Sequence, residues 1–367
     1  MTGEPVFAFE IKAGRSSSLD ALRGVAVLLV VFHHWFLLPV GIPMYDFFIP
    51  FFRSYGMLGV DLFFLLSGFC IHNAYRGTPS RFSTKKYLLR RWWRIYPPYF
   101  FALALAVLMN LATNYLKWKS GAELTVSNFG PLQVLTHIFL IHNFSQKTTL
   151  TISGPFWTIA TEMQYYLLYL VLRPLFYSRK GWAVLFVSAF LLYFAAWHIF
   201  YLPYAVQPLN PFCYWIEWIA GAFLAYAVKN GVIVPNRHNG LLALILTVFF
   251  LILSVQFFEP GQPELSRIAI TACFASLIIF FLAFESIWAR KPLAWLPRLG
   301  IFSYSIYLVH FIFLDRIRVF LIPRAREGME RLLLSVSAIA FCLFVSYGFY
   351  IFFEKPFLKK AASIAKY

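Results

Sequence analysis

The chain has 367 residues, of which 60% are hydrophobic, 20% aromatic and only 13% charged. That balance excludes a soluble globular protein and indicates a polytopic membrane protein. The excess of 32 Lys and Arg over 15 Asp and Glu does not require nucleic acid, because the basic residues cluster in loops between apolar stretches, where membrane topology places them.

Crossing about 30 Å of hydrocarbon takes roughly 20 apolar residues per helix. At that length the sequence offers ten candidate spans, at 19–39, 56–75, 96–116, 155–173, 182–202, 211–228, 240–258, 265–286, 299–320 and 331–353, so the expected fold is an all-α transmembrane helical bundle. The first apolar run carries Arg23 and His34 and lacks a small-residue cleavage pattern, which marks it as a retained helix and not a signal peptide. The stretch 131–144 is too short to span and reads as an interfacial or re-entrant helix. The loop 76–94 holds Arg76, Arg81, Lys85, Lys86, Arg90, Arg91 and Arg94 without an acid, and the tail carries Lys355, Lys359, Lys360 and Lys366; both termini are therefore expected in the cytoplasm. The loop 321–331 runs against this, with Arg324, Arg326 and Arg331 only partly offset by Glu327 and Glu330 on the outer side. The resulting organisation is a cytoplasmic segment 1–18, a membrane domain 19–355 and a basic cytoplasmic tail 356–367, with no internal repeat. Cys70, Cys213, Cys273 and Cys342 each sit in an apolar stretch without CxxC spacing, so neither a disulfide framework nor a metal site is expected.

The ionisable residues inside these spans carry the functional reading. In LDALRGVAVLLVVFHH, residues 19–34, Arg23 and His34 stand eleven positions apart. At about 100° and 1.5 Å per residue they fall on nearly one face, roughly 16 Å apart in depth. Ionisable groups at such depths are costly and mark functional sites by default; the structural alternative for His34 is a ring satisfied by a neighbouring carbonyl. In GVDLFFLLSGFCI of the second span, Asp61 and Ser67 are candidates for a substrate path, although Ser67 and Gly68 also suit close helix packing. At the cytoplasmic mouth of the third span, RRWWRIYPPY sets Arg91 and Arg94 three apart on one helix face, where their planar forks could grip a phosphate. The same arginines with Trp92, Trp93 and Tyr96 also describe an ordinary interfacial belt. The fourth span runs inward and sets Glu162 about 10 Å below its outer end, at the depth of His34. A carboxylate paired with that imidazole would orient it as a general base; the alternative is a buried structural ion pair. In the ninth span Ser303, Tyr304, Tyr307 and His310 either line an acceptor or acyl path or pack as core.

Taken in order, LDALRG leading to HH, GVDLFFLLSGFCI, RRWWRIYPPY, FWTIATEMQYY and LGIFSYSIYLVH resemble the successive signatures of the acyltransferase-3 family of integral membrane acyltransferases, from about residue 16 to 355. The resemblance implies catalytic roles for Arg23, His34 and Glu162 and a coenzyme A site at Arg91 and Arg94 with Arg90. It implies an acyl group, most often acetyl, moved from cytoplasmic acyl-coenzyme A to a hydroxyl of a surface polysaccharide or lipid-linked saccharide at a bacterial inner membrane. No tightly bound cofactor, metal or nucleic acid is expected; membrane lipid and polysaccharide-biosynthesis proteins are the expected partners. His34 could act as a base or carry the acyl group transiently. Family members that modify envelope glycans often carry a fused periplasmic hydrolase-like domain, and this sequence ends soon after its tenth expected span, which leaves either a partner or the membrane domain alone to complete transfer. Two rivals stay open: a transporter or flippase for an anionic or lipid-linked substrate, with Arg23, His34 and Glu162 as a proton relay, and a silent scaffold in polysaccharide export.

Overall fold

The computed structural model of the protein describes residues 16–35, 39–75, 82–119, 130–196, 198, 209–258 and 263–364. Among the described residues there is no β-strand, and each expected span overlaps a helix. These are α1 Ser17–Trp35, α2 Leu58–Tyr75, α3 Thr84–Lys119, α4 Trp157–Leu172, α5 Arg179–Ala195, α6 Trp215–Lys229, α7 Arg237–Phe258, α8 Pro263–Ala283, α9 Ser303–Phe320 and α10 Met329–Phe349. Among the described residues, seven helices are long and apolar enough to cross a membrane. Of the other three, α4 and α5 have 16 and 17 residues, and α9 ends on Asp315, Arg316 and Arg318. The protein is an integral, multi-pass, all-α membrane protein. The stretch expected to be too short to span forms the eight-residue helix Pro131–Ile138 followed by short turns.

Two segments depart from the sequence reading. The loop expected over 76–94 is helical from Thr84, where Ser83 caps α3 by accepting the Lys86 N–H at 3.3 Å. Lys, Leu and Arg are good helix formers, and the Ser cap supplies the start signal; Arg76 and Arg81 lie outside the described residues. At 36 residues α3 is about 54 Å long, so RRWWR occupies a helical extension beyond an apolar span. The C-terminal tail likewise forms a helix, Lys355–Ser363. It docks on α3 by Lys360 Nζ, 3.5 Å over the Trp93 ring, and by Phe357 stacked on the same ring at 5.9 Å; Lys366 and residues 1–15 lie outside the described residues.

The chain packs as two compact units, one of Met1–Ala26, Gly59–Phe82 and Leu168–Ile301, the other of Val27–Leu58, Ser83–Leu167 and Phe302–Tyr367. In the first, α2 and α6 cross at glycines: a Cβ on Gly68 would overlap the Trp218 carbonyl, and one on Gly221 the Leu65 carbonyl. Helix association in lipid depends on such close backbone approach. Glu285 caps the start of α1, accepting the Ser17 N–H at 2.6 Å, the Ser18 N–H at 3.2 Å and the Ser16 hydroxyl at 2.9 Å, where an anion also complements the helix dipole.

In the second unit a π turn, Tyr350–Glu354, follows α10 and brings the buried Glu354 carboxylate to the first turn of α9. There it accepts the Ser305 N–H at 3.1 Å and the Ser305 hydroxyl. A π turn rotates the following residues about the helix axis, and here it aims an acid at otherwise unsatisfied N–H groups. The start of α9, and with it Tyr304, Tyr307 and His310, is fixed in this way.

Candidate active site

The second unit contains a line of polar side chains built from three helices. On α4, Thr158, Glu162 and Tyr166 recur every four residues and share one face. The Tyr166 hydroxyl donates to Glu162 Oε1. The guanidinium of the buried Arg91 on α3 lies 5.5 Å from the centroid of the Tyr166 ring, and the exposed Arg94 is also within electrostatic range of that phenol. The Tyr87 hydroxyl, one turn earlier on α3, donates to the Tyr166 carbonyl at 3.0 Å and locks the two helices in register. Glu162 is in turn within electrostatic range of Tyr304 and Tyr307 on α9.

From Glu162 the line continues along α9. The Tyr304 hydroxyl donates to the Ile95 carbonyl at 2.9 Å. The Thr158 hydroxyl donates to the Tyr307 oxygen at 2.8 Å, and Tyr307 donates to the Pro155 carbonyl at 3.2 Å. Three residues further, the His310 ring centroid is 5.6 Å from Tyr307 and 5.2 Å from His34. Arg91, Tyr166, Glu162, Thr158 on the same face of α4, Tyr307, His310 and His34 thus form one sequence of neighbours within one unit.

His34 sits at the far end of this line on the last turn of α1. Its ring contacts His33 at 4.9 Å, Phe311 at 4.9 Å and His310, and it is only partly buried. His33 is engaged through Nδ1 with the Phe52 carbonyl at 3.1 Å, whereas His34 makes no hydrogen bond among the described residues. Gly56 permits this arrangement, because a Cβ there would collide with the His33 Cβ. A partly exposed imidazole held by ring contacts alone keeps its nitrogens available to an incoming ligand, as a base or nucleophile requires.

The expected pairing of His34 with Glu162 is not formed. The carboxylate meets Tyr166 one turn away on its own helix, and the imidazole meets His310. Matched depth in two antiparallel helices does not fix which faces meet, and the local i,i+4 partner wins. Arg90 is half-buried on α3 in the same unit. The remaining expected site residues belong to the first unit. Arg23 donates to Asp20 at 2.8 Å and to the Cys70 sulfur at 3.0 Å. Asp61 is buried and paired with Arg267, whose Nη1 also reaches Glu217 Oε1 at 2.8 Å. Ser67 is half-buried on α2, next to the Gly68 crossing.

Several contributors went unrecognised in the sequence. Thr158 and Tyr166 were visible as a four-residue period around Glu162, and Glu217 and Arg267 as ionisable residues in apolar spans. A stacked pair, His137 and His142, lies with ring centroids 3.7 Å apart in the short 131–144 region. Burial pushes them down to about 4 and about 3, so both rings are neutral at neutral pH. Tyr99 ties this region to α3 by donating to the His137 carbonyl at 3.0 Å, and Asn143 ties it to α4 through Thr161 at 3.0 Å.

The model of the acyltransferase domain that defines the acyltransferase-3 family matches residues 16–351. The chain belongs to the acyltransferase-3 family. It is similar to peptidoglycan O-acetyltransferase OatA of Listeria monocytogenes, with 24% identity over 324 residues, covering 80% of this chain and 48% of that protein. The chain therefore spans about half the length of the curated relative it matches. No solved structure matches it. In this acyltransferase-3 member, the polar line between the arginine pair and His34 lies wholly inside the matched region.

Proposed function

We propose that the protein is a membrane O-acyltransferase that moves an acyl group, acetyl in the first instance, from cytoplasmic acyl-coenzyme A to a hydroxyl of a carbohydrate acceptor such as a surface polysaccharide or lipid-linked sugar. The observation that carries this reading is the line of polar side chains joining Arg91 and Arg94 to His34 within one unit. Family membership supports acyl transfer, and the OatA relative, by its name, supports a glycan acceptor.

Arg91 and Arg94, with Arg90 alongside, supply forked cations for the donor's phosphates at the basic extension of α3. The long pantetheine arm then follows the tyrosines toward His34. His34 takes the proton from the acceptor hydroxyl as its oxygen bonds to the thioester carbonyl carbon. The carbon–sulfur bond breaks, and the leaving sulfur recovers that proton from the imidazolium as free coenzyme A. In the alternative order His34 is acylated first, and the acceptor displaces the imidazole.

Charge-assisted hydrogen bonds contribute about 1.5–3 kcal/mol each, so Arg91→Ala combined with Arg94→Ala should weaken acetyl-coenzyme A binding by at least roughly tenfold. Titration of the purified variant with labelled donor checks this. Unchanged donor affinity together with altered membrane insertion would make the pair a topological anchor. A transporter would leave the donor intact, so release of free coenzyme A that depends on a saccharide acceptor separates the two classes.

A further inference from the structure

We infer that His310 is the positioning residue for His34: its Nε2 accepts an N–H from the His34 imidazole, so that the other His34 nitrogen presents its lone pair to the acceptor hydroxyl. This inference rests on the base role proposed for His34. Four observations carry it. The two rings are neighbours, with centroids 5.2 Å apart and planes inclined by 38°. His310 is fully buried on α9, between Tyr307 on one side and His34 and Phe311 on the other. Its Nδ1 lies 2.7 Å from the Tyr307 carbonyl and 3.1 Å from the Ile306 carbonyl. Its Nε2 is buried and has no hydrogen-bond partner among the described residues.

The third observation fixes the tautomer. Carbonyl oxygens only accept, so Nδ1 must carry the hydrogen, and in the neutral ring Nε2 is then a bare lone pair. The fourth makes that lone pair consequential, because an unsatisfied buried acceptor is costly and calls for a donor. Of the three rings touching His310, those of Tyr307, Phe311 and His34, only the last can supply an N–H, since Phe311 has none and the Tyr307 hydroxyl already donates to the Pro155 carbonyl. The two rings are neighbours without this bond in the free protein, and catalytic hydrogen bonds commonly tighten only when substrate binds. When His34 takes the acceptor's proton, the imidazolium keeps its N–H on His310, and the positive ring is held where it can return that proton to the departing sulfur. A base oriented by a third group is the general form of this chemistry.

The test separates the ε nitrogen from mere ring volume. Gln at position 310 retains an acceptor near Nε2 but loses the donor to the Tyr307 carbonyl; Asn retains that donor and has no acceptor at the ε position. Acetyl-coenzyme A turnover should therefore fall about 100-fold in His310→Asn and His310→Ala, with donor KM unchanged. His310→Gln should retain at least about tenfold more kcat than His310→Asn. Equal losses in Gln and Asn, or losses confined to donor KM, would overturn the inference. Nitrogen-15 spectra of histidine-labelled wild-type protein give a reading that needs no variant: His310 must show a protonated Nδ1 and an unprotonated Nε2, and the reverse tautomer refutes the assignment. His34→Ala measured alongside keeps the levels apart. Turnover retained there removes the base reading itself, whereas its loss with indifferent His310 variants removes only the positioning role.

Discussion

His34→Ala should lower acyl transfer by about 10²–10⁴-fold, while the protein still inserts, folds and binds its donor. The expectation comes from where the ring sits. His34 is on the last turn of α1, partly exposed and held by ring contacts, with no hydrogen bond to a backbone carbonyl among the described residues. Its removal therefore breaks no hydrogen bond, and the fold has little reason to respond. His33 next to it is the structural histidine, bonded to the Phe52 carbonyl, so His33→Ala should disturb stability more and chemistry less. Turnover and thermal unfolding measured on both purified variants give the comparison. Substantial turnover in His34→Ala, or loss of folding there, would remove the base assignment.

Arg267→Leu should be the most destabilising single change in the first unit. One guanidinium serves two carboxylates, Asp61 on α2 and Glu217 on α6, and both acids are buried. The cation also lies 4.7 Å over the Tyr214 ring and 5.6 Å from that of Tyr193. Taking one partner out of a buried ion pair typically costs about 3–5 kcal/mol, because the remaining charge is left uncompensated. Here two like charges would be left facing each other. Glu217→Gln should by contrast be close to neutral, since it removes the carboxylate in excess of the single cation. Adding Asp61→Asn and Glu217→Gln to Arg267→Leu should recover much of the loss. Thermal unfolding in detergent reads all three; an Arg267→Leu protein that unfolds with the wild type would show that the cluster contributes no net stability.

The helices were legible because a membrane leaves few options: each span must satisfy its own backbone and stay apolar for about 20 residues. Where that constraint lapses, the sequence marks helices less clearly. The start of α3 and the Lys355–Ser363 helix are polar enough to resemble loop and tail, and only a Ser cap and the Trp93 contacts reveal them. The site was partly legible for the same reason. His34, Glu162, Arg91 and Arg94 stood out as ionisable residues in or beside apolar runs, and they fall in one unit. Their partners were not, because depth follows from helical rise while facing depends on packing between helices. Thus Glu162 turned to Tyr166, His34 to His310 and Asp61 to Arg267. For Tyr307 and His310 the sequence leaves path lining and core packing open, and the contacts with Thr158 and the His34 ring set them beside the candidate base.

Under the proposed function an acyl group enters at the arginines of α3 and leaves at His34. Sealed vesicles containing the purified protein test it, with labelled acetyl-coenzyme A confined to the face bearing Arg94 and a glycan acceptor, such as a peptidoglycan fragment, confined to the opposite face. Labelled ester is expected on the acceptor and free coenzyme A on the donor side, both lost in His34→Ala. Ester formed only when donor and acceptor share one face, or donor left intact with every acceptor, would contradict it.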